Sequence, residues 1–377
     1  MTNISGIDTR RWRIATELFF QVLLAFLLVY CVNAQGRPAE PKLQGEGTLK
    51  AMTFNTYVGT EYNGVTDPNL AALQQAVTNM ILDARASDPA GRAQAVARQI
   101  AATKPHLVSL QEVGTWSTGT SPDNLTVEFD YLQLLLASLA SMGVRYTPVT
   151  SFETWQATLL SSSGIYVRNS WRVAILARAD LSPEDFSITN ADGGKWAATQ
   201  IYLLAALNGR ADLCPVELTG SLCLMPFPRG WASVDAVYRG KEFRFINAHL
   251  ESLSASKNRL QGLELLTGPA KTALPVVIAA DLNCDLSNPS DSKYQTCINM
   301  IDAGFVDSWD AANPGEPGFT KDLPVMTMRG DYVMARGPFG FQASALVGED
   351  STDKTVSGLW PSNHCGVVSR LQLADKE

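Results

Sequence analysis

The sequence predicts a layered α/β domain, and three observations carry that prediction. Short runs rich in β-forming apolar residues alternate along the chain with longer helical patterns, the arrangement that stacks helices against sheets. Hydrophobic residues make up 46% and charged residues 18%, with 28 glycines and 19 prolines spread throughout, a composition that excludes disordered, collagen-like and coiled-coil chains. The 377 residues allow two domains at roughly 100 to 200 residues each, although a layered fold of this length often forms one.

Folding is expected to start near Thr48. Strands are predicted at 49–55, 107–111, 173–177, 244–250, 275–280, 331–335 and 367–371, each a short apolar run with β-forming residues. Helices are predicted at 69–84, 90–103, 129–142 and 257–266, where polar and apolar residues mix in a helical pattern. Where strands follow each other closely, antiparallel connections are expected. No internal repeat or low-complexity block is present.

Ahead of this domain, Arg10, Arg11 and Arg13 precede the mostly apolar run 18–32, and Val32-Asn33-Ala34 offers a small residue before Gln35. That order suits a cleaved secretory signal over residues 1–34. A membrane-spanning helix needs about 20 apolar residues, and this run is shorter and begins directly after Glu17. Residues 35–47, with Pro38, Pro41, Gly36, Gly45 and Gly47, read as a linker to a domain over 48–377. The expected location is therefore secreted or periplasmic, or membrane-anchored if the signal is retained.

The six cysteines fit that compartment. Cys31 belongs to the signal. Cys214 with Cys223 and Cys284 with Cys297 are natural disulfide candidates closing short loops, although spacing alone does not fix connectivity, and Cys365 is left over. Zinc ligation by these two pairs lacks a CxxC spacing and a nearby histidine. Formal net charge is −7; the signal carries three arginines and two acids, so the remainder is −8. No global positive field is available to grip a phosphate polymer, and any anion must be held locally or through cations.

Polar residues at the ends of the apolar runs are the informative ones. Met52-Thr53-Phe54-Asn55 ends in an amide, Val108-Ser109-Leu110-Gln111-Glu112 in a carboxylate, and Ile246-Asn247-Ala248-His249-Leu250 places an imidazole at a strand end. Ile278-Ala279-Ala280-Asp281-Leu282-Asn283 supplies a carboxylate and an amide two residues apart, Gly330-Asp331-Tyr332-Val333 begins a strand with an acid, and Pro361-Ser362-Asn363-His364-Cys365 sets a second imidazole before the last strand. Strand ends converge on one crevice in a layered sheet, where ligands bind. Taken singly, an Asn or Asp after a strand is a common turn former. His106, after Pro105, reads as an ordinary loop residue with no catalytic part.

In this order the segments resemble the endonuclease/exonuclease/phosphatase superfamily, the metal-dependent phosphoesterases that include deoxyribonuclease I-like nucleases and neutral sphingomyelinases. The resemblance spans residues 48–372, and Trp309 with Gly318-Phe319-Thr320 is similar to a stretch of secreted bacterial-type members. It implies a four-layer α/β/β/α sandwich of two packed mixed sheets flanked by helices, with the site at one edge. It assigns Glu112, Asn55 and Asn363 to a metal ion, Mg²⁺ with Mn²⁺ or Ca²⁺ as alternatives. Asp281 would orient or deprotonate the attacking water, Asn283 would hold a phosphate oxygen, His249 and His364 would stabilise the transition state, and Asp331 would fix the tautomer of His364.

These roles agree with elementary chemistry. Phosphodiester hydrolysis needs an in-line water, neutralised nonbridging oxygens and a protected leaving alkoxide. A hard divalent ion takes oxygen ligands such as Glu112, and an imidazole backed by a carboxylate exchanges protons near neutral pH. One position departs from the resemblance: Ser362-Asn363-His364 stands where Ser-Asp-His is usual, so weaker metal binding is expected, and a degenerate, non-catalytic binding module is the rival reading. The expected partner is a phosphodiester, either nucleic acid or a phospholipid headgroup with peripheral membrane contact, acted on by a monomer. Trp116, Trp155, Trp196, Trp231 and Trp360 are candidates to flank the crevice, with core packing as the alternative. Arg229 and Arg329 are candidate phosphate contacts, but surface placement is the commoner fate of arginine and neither joins the site.

Overall fold

The strand that begins the domain shows how the layers arise. In Leu49–Asn55 (β1) every residue but Lys50 is buried, because the strand lies inside a sheet covered on both faces. The computed structural model describes residues 47–374 apart from 68, 206–215 and 218–221. The signal, the linker up to residue 46 and the pairing of Cys214 with Cys223 lie outside the described residues.

After β1, the chain runs through helices α1 (Leu70–Ala86) and α2 (Pro89–Thr103), strands β2 (Leu107–Ser121) and β3 (Asn124–Asp130), helix α3 (Tyr131–Ser141), and strands β4 (Tyr146–Leu160), β5 (Tyr166–Arg178) and β6 (Phe186–Lys195). Strands β7 (Gln200–Ala205), β8 (Val216–Glu217), β9 (Leu222–Phe227), β10 (Gly230–Tyr238) and β11 (Lys241–His249) follow. Then come α4 (Ala255–Thr267), β12 (Val276–Asp281), α5 (Tyr294–Asp302), β13 (Val306–Asp307), α6 (Ser308–Ala312), β14 (Asp331–Arg336), β15 (Phe339–Val347) and β16 (Gly366–Leu373). The predicted elements are all present. Sequence reading passed over β4 and β15, where exposed residues dilute the apolar signal, and β10, which is almost wholly buried, among others.

Two large mixed sheets form. The first has the order β15-β16-β1-β2-β5-β4, with β3 on β2; the second has the order β13-β14-β12-β11-β10-β6. A third, small sheet joins β7, β9 and β8. Leu49, Ala51, Leu107, Val173 and Ile175 of the first large sheet pack against Val234, Phe243, Phe245, Val277 and Val333 of the second, forming the central core. Helix α1 covers the other face of the first sheet through Leu73, Val77, Met80 and Ile81, while α4 and α5 cover the second through Leu265, Cys297 and Met300. The result is the four-layer α/β/β/α sandwich.

A buried polar seam crosses the sheet interface below the edge that matters. Gln111 Nε2 donates to Asn247 Oδ1 at 2.9 Å, Asn247 Nδ2 donates to the Leu110 and Ala174 carbonyls, and Ser109 Oγ donates to the Ala279 carbonyl. Because each buried partner left unmade costs about 1–3 kcal/mol, this seam favours one alignment of the two sheets. Cys284 and Cys297 form a disulfide, and Cys365 is a buried free thiol. No helix among the described residues is long and apolar enough to cross a membrane.

Candidate active site

Register brings the site together. Strand β11 runs parallel to β12 with His249 opposite Asp281, and β12 runs antiparallel to β14 with Asp281 opposite Asp331. Three functional candidates therefore sit side by side at one level of the second sheet. In the first sheet β1 is parallel to β2, with Asn55 opposite Gln111. Glu112 follows, not at a strand end as the sequence suggests, but inside the long β2 where its pairing with β5 shifts between Leu110 and Val113. Its φ of +53° is the unusual backbone of a bulge that re-aims one side chain.

Asn55 bridges two acids. Its Nδ2 donates to Glu112 Oε1 at 3.2 Å and to Asp281 Oδ2 at 3.0 Å. Its Oδ1 accepts the Tyr57 backbone N–H at 3.1 Å, so the amide oxygen faces the backbone and Asn55 spaces the carboxylates. Glu112 Oε2 accepts the Val58 N–H at 3.2 Å. His249 Nε2 lies 3.5 Å from Asp281 Oδ2 and 3.9 Å from Glu112 Oε1. Asn283, also left-handed at φ +53°, donates through Nδ2 to the Leu250 carbonyl and through its backbone N–H to Asp281 Oδ1.

His364 and Asp331 form the second half. His364 Nδ1 is 2.8 Å from Asp331 Oδ2, and Thr320 Oγ1 donates to the same oxygen at 2.7 Å while accepting the Gly330 and Asp331 N–H groups. The Gly318-Phe319-Thr320 stretch thus orients Asp331. Trp309 packs against Gly318, where a Cβ would meet the indole at 2.4 Å. Asn363 lines the same cavity as Glu112, and its carbonyl accepts the N–H groups of Asp322 and Leu323.

Charge follows from burial and neighbours. Burial opposes ionisation of Asp281, but Lys321, His249 and His364 outweigh it and hold the carboxyl down at about 2. Burial and then Arg229 push the His249 imidazole well below its ordinary range, so it stays neutral. His364 is raised: burial works against its charge, but Asp331 beside it prevails.

Sequence reading missed several participants. Lys321 Nζ donates to Asn283 Oδ1 at 2.5 Å; its only signal was its place after Thr320. Arg229 is buried beside His249 rather than on the surface, whereas Arg329 is spent on Asp310 and Asp307. Trp171 was overlooked although it lies parallel to the His249 ring. Trp116 and Trp196 are core residues, while Trp155 lines the site cavity with Trp171, Tyr62 and Phe227. That cavity holds about 540 Å³ and reaches Glu112 and Arg229.

This edge, with two acids held by an amide and two imidazoles, coincides with what sequence comparison finds. The endonuclease/exonuclease/phosphatase family model matches residues 52–364, a span that contains every one of these groups. The chain belongs to that family. Endonuclease/exonuclease/phosphatase members share the sandwich at low identity. A Bacteroides thetaiotaomicron member is 13% identical with a TM-score of 0.54, covering 88% of this chain and 98% of its own. One from Beutenbergia cavernae is 19% identical at 0.52, covering 87% and 72%. A mannosyl-6-phosphatase from Bacteroides thetaiotaomicron is 15% identical at 0.50, covering 86% and 99%. No curated protein matches the sequence.

The protein therefore has a hydrolase fold of the endonuclease/exonuclease/phosphatase family, whose members generally depend on a divalent metal. Its side chains fit such an ion. Glu112 opens onto the cavity and, among the described residues, is hydrogen-bonded only by neutral N–H donors, and Asp281, Asp331 and His364 offer ligand atoms within 4.8 Å of one another. Asp331 Oδ1 is buried without a hydrogen-bond partner among the described residues.

Proposed function

We propose that the protein is a Mg²⁺-dependent phosphodiesterase that hydrolyses its substrate by in-line attack of water and acts outside the cytoplasm as a monomer. The observation that carries this reading is the convergence of Glu112, Asn55, Asp281, Asn283, His249 and the Asp331–His364 pair on one sheet edge beside a cavity. The location is supported by the arginine-led apolar run ahead of the domain and by the Cys284–Cys297 disulfide.

Glu112, with Asp281 nearby and Asn363 on the same cavity, would hold the cation. A bound Mg²⁺ supplies charge neutralisation for phosphoryl oxygens. Asp281, ionised throughout the neutral range, accepts a hydrogen bond well and holds a proton poorly, so it orients the attacking water. Neutral His249 donates a hydrogen bond to a phosphoryl oxygen. Asp331 occupies Nδ1 of His364, which leaves Nε2 to face substrate and give a proton to the leaving alkoxide. Asn283, held by Lys321 and the Leu250 carbonyl, positions the phosphate. The cavity's aromatic wall of Trp155, Trp171, Tyr62 and Phe227 suits the apolar or planar part of a nucleic acid or phospholipid headgroup.

The test uses the chain with Mg²⁺ or with EDTA on plasmid DNA, sphingomyelin vesicles and a bis-aryl phosphodiester. Metal-dependent turnover of one of them is expected. Turnover that persists in EDTA, or that survives loss of both His249 and His364, sinks the mechanism.

A further inference from the structure

Resting on the phosphoesterase reading, we propose that Arg229 is a further substrate-phosphate ligand of this site, the cationic one: a guanidinium clamped between Trp171 and His249 that binds a nonbridging phosphoryl oxygen from the cavity. Gly230, the first residue of β10, pairs with His249, so Arg229 lies just beyond that pair. It is 6% exposed. The planes of Trp171 and His249 are 7° from parallel with centroids 6.3 Å apart, close to two stacked contacts of roughly 3.5 Å each. The guanidinium carbon is 4.7 Å from the Trp171 ring, and Nη1 is 3.2 Å from Nδ1 and 3.1 Å from Nε2 of His249. Near-equal distances to both ring nitrogens mark stacking rather than an in-plane hydrogen bond, which would favour one of them.

The clamp leaves the charge unanswered. Among the described residues no carboxylate makes an ion pair with Arg229; Nη2 reaches Ser252 Oγ at 3.3 Å, and Nε is buried with no partner. A buried cation without an anion is costly, and Arg229 lines the cavity that Glu112 also lines. The anion that belongs there is the one this edge is built to receive. Arginine's planar fork matches phosphate oxygens, and a flat group is what the slot admits. Lysine would keep the charge and lose the clamp.

The experiment compares the wild-type chain with Arg229→Gln, Arg229→Lys and Trp171→Leu. It reads KM and kcat on bis(4-nitrophenyl) phosphate, the inhibition constant of inorganic phosphate, and Mg²⁺ affinity by calorimetry. Arg229→Gln should raise KM and weaken inorganic phosphate roughly 10- to 100-fold with Mg²⁺ affinity unchanged. Lysine should recover only part of the loss, and Trp171→Leu should weaken phosphate while the charge remains. A rise in KM assigns the contact to the substrate phosphoryl group; a change confined to the phosphate inhibition constant assigns it to product and overturns the proposal as stated. Because a buried arginine variant can fail to fold, the wild-type protein is also titrated with inorganic phosphate while its arginine side-chain ¹⁵N resonances are followed. The Arg229 Nε–H, identified by its proximity to Trp171 and His249, should shift. An unmoved resonance, or an Arg229→Gln variant with unaltered KM, overturns the proposal and leaves the phosphoesterase reading standing if hydrolysis persists. A phosphate-dependent shift without hydrolysis of any ester does the reverse: it keeps the phosphate site and rejects the phosphoesterase reading.

Discussion

His364 Nδ1 lies 2.8 Å from Asp331 Oδ2, across 33 residues of sequence. Thr320 holds the same carboxylate oxygen from the other direction, so the imidazole is oriented by an acid that is itself oriented. Removing the ring removes a proton donor, and removing the acid charge leaves the ring with the wrong tautomer and a lower pKa. His364→Ala should therefore lower kcat about 10²- to 10⁴-fold. Asp331→Asn should lower kcat with little change in KM and displace the pH–rate profile of the variant to lower pH, since Asp331 is what raises His364. Steady-state kinetics across pH 5 to 9 checks both; an unmoved profile in Asp331→Asn contradicts the pairing.

Glu112 reaches the cavity only because β2 is interrupted at its left-handed residue. Glu112→Gln keeps the shape and removes the charge, and its single amide oxygen can accept only one of the two hydrogen bonds that Asn55 and Val58 donate to the carboxylate. Metal affinity measured by calorimetry is expected to fall at least about tenfold, and activity with it. The Asn55 bridge should keep the fold intact, so the thermal midpoint serves as the control.

Asn363 gives the cavity a neutral amide where the family usually carries an acid. Asn363→Asp adds a carboxylate worth about 1 kcal/mol toward a cation in a partly exposed site. Severalfold tighter Mg²⁺ binding is the expected result. If neither metal affinity nor rate changes, the position takes no part in holding the ion.

His106 tests the fold apart from the site. Its Nδ1 accepts the Lys50 N–H at 2.9 Å between the rings of Phe186 and Tyr238. Burial, reinforced by Arg178 and Lys50, pushes its pKa down to about 4. In the unfolded chain the same ring titrates near 6.5, so between those values the unfolded state holds the extra proton and stability rises with pH. The contribution is present above about pH 6.5 and is lost on acidification toward pH 4, about 3 kcal/mol in all. Urea unfolding at pH 4.5, 5.5 and 7 should show a shallower pH slope for His106→Gln than for the wild type; equal slopes refute it.

The strand β1 and the chemistry-bearing residues were legible along the chain because they depend on short-range pattern. An apolar run ending in Asn55, Asp281 or His249 reads the same wherever its neighbours lie. Of the strands that were passed over, β4 carries exposed polar residues in its central stretch, and β4, β6 and β15 lie at sheet edges, where few apolar residues are required; β10 is buried between β11 and β6.

What the sequence determined by itself is therefore the inventory: a layered α/β domain, and the acids, amides and imidazoles at the ends of apolar runs. The tertiary structure decided adjacency. The bulge that turns Glu112 inward, the register that sets His249, Asp281 and Asp331 abreast, the amide of Asn55 aimed at two acids, and the burial of Arg229 between Trp171 and His249 all involve residues far apart in the chain. Pattern along a chain fixes which face of an element is apolar, whereas strand order, register and the fate of a buried charge are settled only when separate segments pack and every polar group must find a partner.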